Sequence, residues 1–263
     1  MKIKKTIFQF IFCFAPLVIY PQIDMYQTAI HKNGTDTLQY RIMYPKDFSQ
    51  SQQYPVVLFL HGAGERGNDN EKQLVHGSSL FSKDTVREKF PAVVIFPQCP
   101  QEDYWSNVEI DRNKQPLELK FQYSKGPTKA LGLIMALMDS IAAEPFVKKD
   151  QIYVMGLSMG GMGTFELLYR KPDMFAAAVP ICGGGDTQAA KAYADKVPLW
   201  IFHGAQDNVV APRFSLDIAT KIIEYGGHPN LTIYSGADHN SWDPAFKEPG
   251  LLEWLFSNKL KQE

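Results

Sequence analysis

A serine, an aspartate and a histidine, the side chains that together can attack a carbonyl carbon, occur in that order in this 263-residue chain. The serine is Ser158, within Tyr153-Val154-Met155-Gly156-Leu157-Ser158-Met159-Gly160-Gly161. A short apolar run leads into Gly-x-Ser-x-Gly, and a helix-compatible stretch from Thr164 to Tyr169 follows. This is the sequence form of a nucleophile elbow, a strained strand-to-helix turn that pushes the serine hydroxyl out of the backbone. Gly156 and Gly160 flank the serine where a Cβ would collide with the neighbouring strand or helix. The helix start behind Ser158 aims free N–H groups at any negative charge that forms there.

A serine hydroxyl is a weak nucleophile until a base takes its proton, and the base needs a carboxylate to orient it. In an open α/β sheet these partners come from loops at the carboxyl ends of strands. Asp207 fits, because it follows the apolar run Leu199 to Phe202, which breaks at Gly204 into a polar loop. Asp186, beside Gly183 to Gly185, is its rival, and a turn-capping role for Asp207 is the alternative use. The chain has six histidines, and His239 alone lies both after the acid and in a loop after a strand. An oxyanion formed on the substrate needs backbone donors. Met159 N–H, next to the nucleophile, is one. Ala63 N–H, in the glycine-rich loop His61 to Gly67, is the other, with Gly62 and Gly64 as alternates. His61 is expected to be structural, and Glu65 and Arg66 to pair and brace this loop.

These residues need a frame of strands and helices to position them. Val56 to Leu60 and Ala92 to Phe96 are continuous apolar runs, the mark of strands buried on both faces of a parallel sheet. Gln151 to Met155, Ala176 to Ile181, Leu199 to Phe202 and Leu231 to Tyr234 continue the series, while Leu38 to Tyr44 alternates like an edge strand. Helical spacing fills the gaps at Lys129 to Ala143, after the elbow, at Phe214 to Tyr225 and at Pro249 to Leu260. Alternation without repeats or a long linker predicts one α/β domain, a doubly wound, mostly parallel sheet with helices on both faces.

Composition narrows the classes further. With 27 basic and 28 acidic residues the net charge is −1, which gives no electrostatic case for nucleic acid or an anionic membrane. No His-x-x-x-His or Cys-x-x-Cys pattern suggests a metal, and no glycine-rich dinucleotide or phosphate loop suggests a cofactor. Lys2, Lys4 and Lys5 precede an apolar run from Ile7 to Ile19, which reads as a signal peptide over residues 1–22 ahead of a catalytic domain over 23–263. The expected location is secreted or periplasmic, without stable membrane association once the leader is removed. An uncleaved anchor stays open, since no small-x-small pair marks a cleavage site. Export raises the question of a disulfide between Cys99 and Cys182. They end strands separated by two others, about 14 Å at ordinary strand spacing, so free thiols are expected.

Taken together these segments resemble the α/β-hydrolase superfamily, and more narrowly its secreted esterases of the polyhydroxybutyrate-depolymerase and feruloyl-esterase-like kind. The resemblance rests on Leu60 to Gly67, Pro97-Gln98-Cys99-Pro100 with Trp105, Ile152 to Gly161, Cys182 to Asp186, and His239 to Phe246. It implies a triad of Ser158, Asp207 and His239, with Trp105 and Trp242 bordering a substrate cleft. The implied substrates are small or polysaccharide-linked esters. Two departures stand out: no sizeable lid insertion, and a serine where dienelactone hydrolases use cysteine. A small peptidase and a non-catalytic binding protein on the same scaffold are the alternative readings.

Overall fold

A computed structural model of the chain describes residues 25–260, so the expected leader lies outside the described residues. Ten strands follow in order: β1 (Gln27–Asn33), β2 (Asp36–Met43), β3 (Tyr54–Leu60), β4 (Val93–Pro97), β5 (Val108–Asp111), β6 (Glu118–Phe121), β7 (Val147–Leu157), β8 (Ala177–Ile181), β9 (Trp200–Gly204) and β10 (Asn230–Tyr234). The helices are α1 (Ser78–Ser82), α2 (Asp84–Lys89), α3 (Lys129–Ala142), α4 (Met159–Arg170), α5 (Arg213–Glu224), α6 (Trp242–Ala245) and α7 (Leu251–Ser257). Eight strands form one sheet in the order β1-β2-β4-β3-β7-β8-β9-β10, and β5 pairs only with β6. The sheet is antiparallel at β1/β2 and β2/β4 and parallel from β4 onward.

The apolar runs become central strands because both faces are covered. Along β3, Val56, Leu58 and Leu60 enter a core shared with α3, α4 and α5. Val57 and Phe59 enter the opposite core, with α1 and α7. This is the period-2 alternation of a pleated strand read twice, once into each layer. All seven residues of β3 are buried, which a continuous apolar run of this kind requires. The predicted α/β class is therefore the observed one.

One strand was misplaced by the sequence pattern. Leu38 to Tyr44 is not an edge: β2 is covered on its outer side by β1, paired from Gln27↔Ile42 to Asn33↔Asp36. The run Gln27-Thr28-Ala29-Ile30-His31-Lys32-Asn33 is mostly solvent-exposed and carries no apolar alternation, so only its backbone register makes it a strand. Cys99 and Cys182 are buried and unbridged, with β3 and β7 between their strands. Among the described residues no helix is long and apolar enough to cross a membrane.

Candidate active site

β7 ends at Leu157 and α4 begins at Met159, so one residue makes the reversal. Ser158 does so with φ 52° and ψ −116°, a conformation that costs a non-glycine residue about 1–3 kcal/mol and persists only where its surroundings enforce it. Its N–H donates to Ile181 O at 2.8 Å, and its carbonyl accepts from Met162 N–H at 3.0 Å. The glycine requirement is steric. A Cβ on Gly160 would lie 2.0 Å from Leu60 O, and one on Gly156 would lie 2.3 Å from Gly160 O. Helix and strands therefore approach as only hydrogen-substituted Cα atoms allow, and the Ser158 side chain is left half-buried and accessible.

The other two side chains reach it from loops after β9 and β10. His239 Nε2 lies 2.9 Å from Ser158 Oγ, and His239 Nδ1 lies 2.8 Å from Asp207 Oδ2. Asp207 Oδ1 accepts the N–H groups of Val209 and Val210, each at 2.9 Å. A residue that the sequence reading passed over joins them: His203 Nε2 is 3.1 Å from Asp207 Oδ2, and its Nδ1 is 2.7 Å from Ser215 Oγ. Burial alone would raise the Asp207 carboxyl; the hydrogen bonds from His203, His239 and the Val209 amide outweigh it and hold the group well below the usual carboxylate range. Asp207 is thus ionised at neutral pH. The network assigns the His239 proton to Nδ1 and leaves the Nε2 lone pair facing the serine.

The loop after β3 lies against the elbow. A Cβ on Gly62 would be 2.8 Å from Leu157 Cδ1 and 3.8 Å from Ser158 Cβ. Ala63 opens a short 3₁₀ turn directly behind it, and Met159 heads α4, where helical geometry gives the first amide no intrahelical acceptor. The loop that carries Ala63 thus lies against the elbow, and Met159 adjoins the serine directly. His61 fastens this loop: its Nδ1–H donates to Gly62 O at 2.6 Å, and its Nε2 accepts Cys99 N–H at 3.0 Å.

Burial pushes the His61 imidazole down to about 4, against the opposing pull of the Gly62 carbonyl. The unfolded chain binds this proton first, near the ordinary ~6.5, so stability is complete above that pH and is lost as pH falls toward 4. The loss expected from this group is about 3 kcal/mol, read as a falling urea midpoint between about pH 7 and pH 4.5. His61→Gln should flatten that dependence; an unchanged slope would assign it to another group.

Two expectations are corrected here. Glu65 and Arg66 do not brace the loop by pairing. Arg66 donates to the carbonyls of Ala63, Gln101 and Asp103, while Glu65 sits 3.9 Å from His76 Nε2. Trp105 does not border a cleft: it is fully buried, edge-on to His61, and its Cβ fills the space beside Gly163. The small pocket left by a glycine on α4 is what draws it inward. The helix behind the elbow starts at once after the serine, at Met159. Trp242 is partly exposed, edge-on to His239 at 5.6 Å and 5.1 Å from His76.

A small hairpin, β5–β6, was also missed. Leu119 packs with Met162 of α4 and Val210, and Leu117 N–H donates to Val209 O, so the hairpin leans on the loop that carries Asp207. Its base is pinned by Glu166, fully buried on α4, whose Oε2 accepts Ser106 Oγ–H and Asn107 N–H at 2.9 and 2.7 Å while Arg170 neutralises Oε1. A groove of about 770 Å³ lies to the other side, lined among others by Asp36, Gln39, Asn68, Gln101, Asp103 and Lys129, and holds no member of the serine–histidine–aspartate chain. Among the described residues, three potential metal-ligating side chains come together only at Cys182, Asp207 and His239.

A mostly parallel sheet that presents Ser158 on a strand-to-helix reversal, with His239 and Asp207 behind it, defines an α/β-hydrolase. More narrowly, the chain belongs to the dienelactone hydrolase family, a family of carboxylesterase-like hydrolases, whose model matches residues 93–246. It is similar to a thermostable esterase of known structure, at 34% identity and a TM-score of 0.81, covering 90% of this chain and 64% of that one. It is 26% identical to mouse lysophospholipase-like protein 1 over 65% of this chain and 73% of the relative. A ferulic acid esterase from Anaeromyces mucronatus, solved with ferulic acid, shares the fold at 15% identity and a TM-score of 0.62, over 84% of this chain and 87% of that one.

Proposed function

We propose that the protein is an exported serine esterase that hydrolyses carboxylic esters through an acyl-enzyme on Ser158, acting on acyl or feruloyl esters of carbohydrate or other small alcohols. The unbroken contact from Ser158 Oγ through His239 to Asp207 carries this reading. Neutral His239 takes the hydroxyl proton at Nε2 as Oγ bonds to the carbonyl carbon. The carbonyl oxygen gains the electron pair and is received by Ala63 and Met159 N–H. Collapse breaks the ester C–O bond, and the imidazolium returns its proton to the departing alkoxide. Water repeats the sequence on the acyl-serine, releasing the acid. Asp207, ionised throughout, holds the ring and balances the imidazolium.

The names of similar esterases support an ester over an amide, and ferulic acid in one of them supports an aromatic acyl group. Purified mature protein should turn over p-nitrophenyl acyl esters and methyl ferulate. Faster cleavage of peptide p-nitroanilides than of every ester would replace this reading with a peptidase. Export rests on the lysines and apolar run of residues 2–19. N-terminal sequencing of protein from its host should find a start near Gln22; a chain retaining Met1 would overturn it.

A further inference from the structure

Behind the triad lies a side chain that the proposed reaction does not use. Cys182 directly follows β8, with φ 41°, and is wholly buried. Its N–H donates to Phe202 O at 2.8 Å. The Cys182 Sγ, one Asp207 carboxylate oxygen and one His239 ring nitrogen lie within 4.8 Å of one another. A second group points into the same place. Ser241 is fully buried, and its Oγ bears on the Cys182 thiol with no other hydrogen-bonding partner.

We propose that Cys182, Asp207 and His239 form an inhibitory site for a thiophilic divalent cation such as Zn²⁺, with the Ser241 hydroxyl or a water as fourth donor. A thiolate, an imidazole and a carboxylate are the zinc donor set; bonds of about 2.0–2.3 Å in tetrahedral geometry set the donors about 3.3–3.8 Å apart, so the His239–Asp207 contact opens slightly as the thiolate closes in. The outer shell is already built: Asp207 is held by two backbone amides and by His203, which orients the carboxylate for a metal as it does for a histidine. Entry is past the His239 ring, whose side chain is 19% exposed.

Binding and catalysis exclude each other for a stated reason. The metal takes the lone pair of His239 Nδ1, so the ring proton moves to Nε2, where the proton from Ser158 would have to go. The thiol proton of Cys182 is released to solvent as the Sγ–metal bond forms, and the carboxylate enters already ionised. The bound site is then neutral: two anionic ligands against two cationic charges. Metal-free enzyme loses nothing, because Cys182 has no part in the acyl transfer.

Titration of the full mature chain with Zn²⁺ and with Co²⁺ tests this. Wild type should take up one equivalent, show a thiolate-to-Co²⁺ charge-transfer band, and lose esterase activity in step, with recovery on adding a chelator. Cys182→Ser should lose the band and need more than about 10²-fold higher Zn²⁺ for the same occupancy, above the cost of losing an outer-shell partner alone. Its zinc-free activity should stay within about threefold of wild type. Ser158→Ala, which has no activity to read, should keep the band, so binding is scored without catalysis and independently of how Cys182→Ser folds. The activity arm rests on the esterase reading above and the spectroscopic arm does not. A band in an inactive wild type would therefore refute the esterase and keep the metal site. No thiolate band in wild type, or equal zinc inhibition of wild type and Cys182→Ser, overturns the site.

Discussion

Ser158→Ala is expected to lower kcat by on the order of 10⁴-fold or more against any ester the wild type cleaves, while leaving the fold intact. The size follows from the geometry: Oγ is the atom that bonds to carbon, and it is the one 2.9 Å from His239 Nε2. Alanine keeps the Cβ and the φ of 52° that the turn imposes, so the elbow has no new contact to accommodate. A fluorophosphonate probe should label wild type and leave the variant unmarked. Equal labelling of both would place the nucleophile elsewhere.

Asp207→Asn should cost about 10⁴-fold in kcat, with little change in global stability by comparison. The amide can still accept from Val209 and Val210 through its oxygen. Its NH₂ then faces His239 Nδ1 in place of Oδ2, and the ring answers by carrying its proton on Nε2, the wrong side for accepting from serine. His203 adds to the loss, since its Nε2–H meets a donor where it met a carboxylate. Asp186, by contrast, caps its own loop through Gln188 N–H. If Asp186→Asn proves the more damaging of the two, the acid has been misassigned.

Much of this site was legible because each member is announced by its local setting. Gly156 and Gly160 betray a steric constraint, and Asp207 and His239 each follow an apolar run that stops abruptly. Chain order then selects among the acids and histidines. What escaped was whatever depends on contacts between distant segments. His203 looks like an ordinary strand end, and only the packing of β9 against its following loop brings it to Asp207; the His-Gly-x-x-Asp spacing was the available signal. Cys182 was weighed only as a disulfide partner, because its neighbours in space come from two other loops, after β9 and after β10. Trp105 reads as a cleft aromatic until the notch at Gly163 is known. Strand β1 has no apolar face to read, and the hairpin β5–β6 is short and polar outside Val108, Ile110, Leu117, Leu119 and Phe121.

The buried carboxylate of Glu166 separates two jobs that could have been entangled. It sits two turns along the same helix that presents the nucleophile, and it grips the chain at Ser106 and Asn107, just before the hairpin starts. Asn107 O in turn accepts Gln122 N–H just after the hairpin ends. The loop of chain between them is therefore clamped at its root by groups that are not part of it. The turn over residues 112–116 can change in length and side chain with the reacting atoms left where they are, whereas Leu117 and Leu119 bear on the loop of Asp207 and are held to their places. The helix works as a chassis with one fixed tool and one interchangeable fitting.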